Sequence, residues 1–303
     1  MDDDVLISVE HLTKNYDGRR IIDDLSFEVR RGETVVIMGQ SGSGKSTLLR
    51  QLVGAEKPDA GTIHLFGRDI TGMPERELDE IRKRFGILFQ SGALYSSMTV
   101  GANVALPINE HFKLHPNVVE IMVRLKLEQV GLAGVEDLMP AHLSGGMKKR
   151  VGLARAIALD PEILFYDEPT SGLDPIMTAG IDELITDLGS KLGVTSVVVT
   201  HDMESAYRIA DRILLLYNSK FVAQGSPDEI RNTRDPFAKQ FVHGEADGPV
   251  PLRRDGSTLM DELPGRYARS GSPPGRVWEW VALAIVAAGG MVLAGAVLEW
   301  FWM

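Results

Sequence analysis

The chain has 303 residues, a length that suggests about two structural units, and its 44% hydrophobic and 24% charged residues exclude a fully disordered chain. A formal net charge of −10 argues against a general nucleic-acid binder, because phosphate binding needs a cationic face. With no cysteine there is no disulfide framework, thiolate metal site or cysteine nucleophile.

Taken in chain order, Met1-Asp2-Asp3-Asp4 is acidic and lacks the basic and apolar regions of a signal peptide. Val5 to Val29 alternates short β-type runs around the turn Asn15-Tyr16-Asp17-Gly18, which predicts antiparallel strands. Thr34-Val35-Val36-Ile37-Met38 is a short continuous apolar run, as in strands buried on both faces. Ile163-Leu164-Phe165-Tyr166 and Val194-Thr195-Ser196-Val197-Val198-Val199 read the same way. Each precedes a helical pattern, so the main unit is α/β with a largely parallel sheet.

Between these strands, about residues 91–158, strand signals fade. Val118, Val119, Ile121, Met122, Leu125 and Val130 recur at near-helical spacing and predict a mostly helical insertion. Ile213 to Tyr217 and Phe221 to Ala223 flank Asn218-Ser219-Lys220 and predict a closing hairpin. From Gly244 the composition turns to Gly, Pro, Arg and Asp, with Ser270-Gly271-Ser272-Pro273-Pro274-Gly275 as a linker. Trp280 to Leu298 then runs 19 residues without a charge, about 28 Å as a helix. Trp278, Trp280, Trp300 and Trp302 bracket it, and Arg266, Arg269 and Arg276 precede it. By the positive-inside rule this predicts a membrane-crossing helix with the bulk of the chain in the cytoplasm. A helix buried against protein is the competing reading.

Gly39-Gln40-Ser41-Gly42-Ser43-Gly44-Lys45-Ser46 matches G-x-x-x-x-G-K-[ST] between a predicted strand and a predicted helix. Glycines let successive backbone N–H groups curl around a polyphosphate, and the helix N-terminus adds a favourable dipole. Lys45 is expected on the β- and γ-phosphates and the Ser46 hydroxyl on Mg²⁺. Phe165-Tyr166-Asp167-Glu168 ends an apolar strand in two carboxylates, and ligands of open α/β sheets sit at such strand ends. Asp167 is expected to hold Mg²⁺ through water, and Glu168 to polarise the attacking water. Alone, the pair would be an acidic helix cap. Leu143-Ser144-Gly145-Gly146-Met147 stands before a good helical sequence, a second helix N-terminus suited to phosphate.

With these elements in hand, the chain resembles the nucleotide-binding subunits of ABC transporters over about residues 5–240. The resemblance implies a P-loop NTPase (RecA-like) core with an antiparallel β subdomain and a helical subdomain. The division it suggests is an ATPase domain at 1–243, an extension and linker at 244–276, and the apolar helix at 277–302. Several further residues carry the likeness. Tyr16 matches the aromatic that stacks on adenine, and Gln90 the glutamine that touches Mg²⁺ and reports to the membrane partner. Ser171-Gly172-Leu173-Asp174 matches the loop that crosses a dimer interface, and His201 the γ-phosphate histidine. The implied nucleotide site takes Tyr16, Gly39, Gln40, Ser41, Gly42, Ser43, Gly44, Lys45, Ser46 and Thr47 from one subunit. Ser144, Gly145 and Gly146 come from the other, so activity requires a homodimer. The implied catalytic set is Glu168, His201 and Gln90, the metal set Ser46, Gln90 and Asp167, and the ligands ATP and Mg²⁺. Met147 departs from the usual glutamine of that loop.

Within the family the chain is similar to the ATPase subunits of bacterial Mla-type phospholipid transporters. The likeness rests on Phe89-Gln90-Ser91-Gly92-Ala93-Leu94, Leu143 to Met147, and Gly244 to Pro251. It implies a permease, an MCE-type lipid-binding protein and, in some systems, a small STAS-domain protein on the helical subdomain. The location would be the cytoplasmic face of the inner membrane, with no nucleic-acid partner. The alternative is the ATPase of a small-solute importer. A non-transport ABC ATPase acting on DNA or ribosomes usually shows long coiled coils or tandem cassettes, and this chain has neither.

Overall fold

The computed structural model describes residues 4–245 and 248–249. The N-terminal run folds as strands β1 (Val5–Tyr16) and β2 (Arg19–Arg30), antiparallel as the alternation predicts, with the turn at Asp17 and Gly18. With β4 (Ala60–Leu65) and β5 (Arg68–Asp69) they make a four-stranded sheet in the order β2-β1-β4-β5.

The second sheet has six strands. β3 (Thr34–Met38), β6 (Phe85–Leu88), β7 (Ile163–Asp167), β8 (Thr195–Thr200) and β9 (Arg212–Tyr217) run parallel, and β10 (Lys220–Gly225) closes the edge antiparallel to β9. The order is β10-β9-β3-β8-β7-β6. Its central strands are buried on both faces because each face has its own core. Val35 and Ile37 of β3 join Leu48 and Leu52 of α1 (Lys45–Leu52) beneath the antiparallel sheet. Val36 and Met38 join the helices on the opposite face. The period-two alternation of a strand thus feeds two cores from one run.

Residues 91–158 are helical apart from loops, as expected: α3 (Val100–His111), α4 (Pro116–Gln129) and α5 (Gly145–Ala156). α2 (Glu75–Arg82) lies earlier, between the antiparallel strands and β6. The apolar residues read from α4 divide differently from a single core stripe. Val119 and Val130 are buried, whereas Val118, Ile121 and Leu125 are exposed, and the core is completed by Val123 and Leu127. α6 (Pro175–Leu192) and α7 (Met203–Ile209) follow β7 and β8. α8 (Pro227–Arg231) and α9 (Pro236–His243) finish the described chain. Among the described residues no helix is long and apolar enough to cross a membrane. The linker at Ser270 to Gly275 and the expected spanning helix at 277–302 lie outside the described residues.

Register decides where the chemistry sits. Met38 of β3 pairs with Thr200 of β8, and Asp167 of β7 with Val199. The loops leaving the carboxyl ends of three adjacent parallel strands therefore open side by side, where ligands of α/β sheets bind.

Candidate nucleotide-binding site

The loop from Gly39 to Gly44 joins β3 to α1. Gly44 has φ +107°, and a Cβ there would stand 2.8 Å from the Ile21 carbonyl oxygen. Only glycine meets both conditions. Lys45 opens α1 and is 6% exposed. Its ammonium donates to the carbonyls of Gly39 at 2.8 Å and Gln40 at 3.0 Å, and Glu168 Oε1 lies 4.0 Å away. Burial pushes the Lys45 pKa down, against the pull of the Glu168 and Asp167 carboxylates. A buried cation at a helix N-terminus is poised for an anionic ligand.

Asp167 ends β7, and its Oδ1 accepts from the Ser46 hydroxyl at 3.4 Å. Burial raises the Asp167 pKa, and the neighbouring Glu168 charge raises it further, while Ser46, Arg50 and Lys45 oppose the shift. Glu168 has φ +49°. Its Oε2 lies 2.8 Å from His201 Nδ1 and 3.5 Å from the Thr200 hydroxyl, which donates to it. The Glu168 N–H donates to the Val199 carbonyl at 2.8 Å. The Glu168 carbonyl accepts from the Ser171 amide at 3.2 Å and the Lys149 ammonium at 3.0 Å. Gln90, just past β6, donates to the Ser171 hydroxyl at 3.2 Å.

Lys45, Ser46, Gln90, Glu168 and His201 line a cavity of about 710 Å³ together with Tyr16, while Asp167 lines the adjoining groove, which shares Ser46 with it. Tyr16 stands at its outer edge, its ring 5.5 Å from the Lys14 ammonium and its hydroxyl donating to Glu56. Gln40, Ser41, Gly42, Gly44 and Thr47 also line it. Ser144, Gly145 and Gly146 are not among its walls. They open α5, with the Ser144 hydroxyl capping the helix by accepting from the Met147 amide at 3.2 Å. Ser144 and Gly145 face solvent. One chain thus carries the glycine-rich loop and carboxylates in one place and the solvent-facing start of α5 in another.

Donor chemistry at the strand ends fits Mg²⁺. Ser46 and Asp167 present a hydroxyl and a carboxylate together, and Gln90 can add an amide oxygen. Mg²⁺ prefers oxygen donors and keeps several waters beside one or two protein groups and the phosphates. A cluster of three or more His, Asp or Glu side chains is therefore not needed, and none occurs among the described residues.

Sequence reasoning missed three participants. Lys149 bonds the Glu168 carbonyl. Arg155 Nη1 donates to the Ala93 carbonyl at 2.8 Å and Nη2 to the Gly92 carbonyl at 3.0 Å, just beyond Gln90. Phe241 of α9 lines the cavity from some 200 residues beyond the phosphate loop. The first two carried a faint signal as basic residues on the helix after Gly146, and Phe241 carried none.

Residues 22–171 match the ABC transporter family. The chain is 44% identical over 258 residues to the intermembrane phospholipid transport system ATP-binding protein MlaF of Haemophilus influenzae, a match covering 85% of this chain and 98% of that protein. Against MlaF of Escherichia coli K12 the figures are 45% over 261 residues, 86% and 97%. It is also 40% identical over 270 residues to the probable ribonucleotide transport ATP-binding protein mkl of Mycobacterium leprae, covering 87% and 78%. Among solved structures, a dimeric ATP-binding cassette in a post-hydrolysis state bound to ADP and Pi superposes with a TM-score of 0.69 at 30% identity, covering 73% of this chain and 99% of that one. The cbiO1 subunit of Clostridium perfringens gives 0.70 at 30% identity, covering 80% and 94%.

The chain belongs to the ABC transporter ATP-binding family. It is an ATPase of that family, and its substrate is ATP with Mg²⁺.

Proposed function

We propose that the chain is the ATP-hydrolysing subunit of a bacterial ABC transporter that moves phospholipids between membranes. The observation that carries the reading is the extent of the match to the two MlaF proteins, which spans 97–98% of their length and reaches beyond the catalytic cassette. The mycobacterial relative, whose name specifies ribonucleotide transport, supports the small-solute importer as the second reading.

In the proposed mechanism the amides of Gly39 to Gly44 and the Lys45 ammonium hold the phosphates, and Tyr16 stacks on the base. Ser46, Asp167 and Gln90 would hold Mg²⁺, which supplies positive charge against the phosphate oxygens. Glu168 orients the attacking water and accepts its proton, and His201, 2.8 Å from that carboxylate, holds its position. Ser144 to Gly146 lie off the chain's own cavity and close the site of a second copy, so two chains form two complete sites.

Partner surfaces follow the same reading. A groove of about 870 Å³ shares Ser46 and Asp167 with the site and is walled by Phe89, Ala93, Tyr95 and Pro107. Phe89 and Tyr95 are 45% and 55% exposed, which suits a permease helix seated beside Gln90. Val118, Ile121 and Leu125 make an apolar stripe on α4 suited to a small STAS-domain protein. An MCE-type lipid-binding protein would complete the assembly. The subunit would work at the cytoplasmic face of the inner membrane, with residues 277–302 as its anchor and residues 244–276 as the extension between anchor and ATPase domain.

The test is a pull-down of the tagged full chain in mild detergent, with co-purifying proteins and lipids identified by mass spectrometry. The expected result is a permease, an MCE-type protein and bound phospholipid. A solute permease, or ribosomal or DNA-bound partners without a membrane protein, would overturn the cargo.

A further inference from the structure

Glu168 stands in the left-handed backbone region, which side chains other than glycine disfavour. Such a conformation persists only where the surroundings over-determine it. Three hydrogen bonds do so here. The Glu168 N–H is fixed to Val199 of β8, and its carbonyl receives the Ser171 amide. The first comes from the neighbouring strand and the second from the loop that follows β7. The third comes from elsewhere: Lys149, the fifth residue of α5, sends its ammonium 3.0 Å from the Glu168 carbonyl oxygen.

Lys149 is 5% exposed. Placing a cation there is costly, and a methionine of similar length would fill the same space without that cost. Packing alone therefore does not account for a lysine. Its charge faces the Asp167 and Glu168 carboxylates, which favour the protonated form against the burial that lowers its pKa. A protonated lysine is a charge-assisted donor, stronger than a neutral one.

We propose that Lys149 is a positioning residue that fixes the backbone of Glu168, so that the helix whose N-terminus closes one nucleotide site also sets the catalytic carboxylate of the other. The inference rests on the reading above, in which Glu168 is the base and Ser144 to Gly146 serve the partner's site. One continuous path joins them within a chain: Ser144 caps α5, Lys149 stands on its second turn, and its ammonium ends on Glu168. A slip of the Glu168 backbone would carry its carboxylate away from the attacking water.

The experiment measures ATPase rate, ATP affinity and thermal midpoint for the full chain and for Lys149→Met, Lys149→Arg, Glu168→Gln and the double variant Lys149→Met/Glu168→Gln. Lys149→Met is expected to lower kcat about tenfold or more while KM stays within about twofold, because misplacement of a catalytic group is felt in the reaction step rather than in binding. Its thermal midpoint is expected to hold or rise, since a buried charge is removed. Lys149→Arg keeps a cationic donor and should recover most of the rate. The double variant should be no slower than Glu168→Gln alone, because Lys149 acts through Glu168.

Wild-type kcat in Lys149→Met would overturn the proposal. So would a parallel loss of rate, affinity and midpoint, or a double variant slower than Glu168→Gln by the full Lys149→Met factor. Should Lys149→Met not fold, Lys149→Gln takes its place under the same criteria. Wild-type turnover in Glu168→Gln would instead remove the assignment of the base, a failure separate from that of Lys149.

Discussion

Replacing Gly86 by alanine tests how tightly α5 is bound to the sheet. Gly86 lies in the middle of β6, opposite the last turn of α5. A Cβ at that position would stand 2.1 Å from the Ala156 carbonyl oxygen and 2.7 Å from Leu164 Cδ2. Carbon–oxygen contacts do not close much below about 3.3 Å, so strand and helix must separate by about 1.2 Å. Leu164 can rotate away, but the Ala156 carbonyl is backbone and no side-chain rotation moves it. Overpacking of this kind costs about 3 kcal/mol, at the upper end of the usual range. For a chain of this size that lowers Tm by about 6–12 °C. The assay is thermal unfolding followed by circular dichroism without nucleotide, with Gly189→Ala as a control of opposite sign. Gly189 lies inside α6, and a Cβ there would have its nearest neighbours at 3.7 and 3.8 Å, an ordinary contact. Removing a helical glycine should raise stability by about 0.5–1 kcal/mol. A Gly86→Ala midpoint within about 2 °C of wild type would refute the inference that α5 and β6 touch without slack.

Asp182 of α6 accepts from the Ser205 hydroxyl and, at 3.0 Å, from Arg208 Nη1. Burial raises its pKa although Ser205 and Arg208 pull the other way. The folded chain then holds that proton more tightly than the unfolded one, where the carboxyl titrates near about 3.9. This contribution to stability is present below the unfolded pKa and is lost as pH rises through the folded pKa. Urea midpoints of Asp182→Asn and wild type between pH 4 and 7 should therefore drift in favour of the variant as pH rises, and a constant difference would contradict the assigned cause. Met147→Gln should change turnover by less than tenfold, under about 1.4 kcal/mol, because the groups of Ser144 to Gly146 proposed to meet the phosphates are independent of that side chain; a collapse in steady-state ATPase would count against this. Ile121→Glu on the exposed face of α4 should leave the ATPase rate of the isolated chain unchanged and remove a small partner from the pull-down, and full retention of that partner would discard the stripe as its seat.

The phosphate loop, the paired carboxylates and the buried strands were legible because their chemistry is local in the chain. Gly39 to Ser46 carry loop, helix start and ligand groups within one motif, and a strand buried on both faces is written as one apolar run. α4 was only half legible, since Val119, Val123 and Leu127 and the trio Val118, Ile121 and Leu125 both recur at helical spacing. A helix apolar on two sides does not say which side meets its own core. The left-handed backbone of Glu168 had no local signal, because glutamate does not favour it and the bonds that impose it come from Val199, Ser171 and Lys149. Arg155 and Phe241 share that character, each defined by a partner far away in sequence.

The seating of α5 has a mechanical consequence. Gly86 lets the last turn touch the sheet, and Gly152 lets the middle touch the segment after Gln90, where an added Cβ would meet the Gly92 carbonyl at 3.0 Å. Arg155 clamps the same segment through two carbonyls. With glycine at two of these joints and backbone oxygens directly opposite, the helix is seated with little room to slide. A displacement applied near Gln90 would therefore carry the helix with it, and with it Ser144 at the end of its twelve residues, a helix about 18 Å long. The small residues that look like gaps in the sequence are thus what makes the linkage free of backlash.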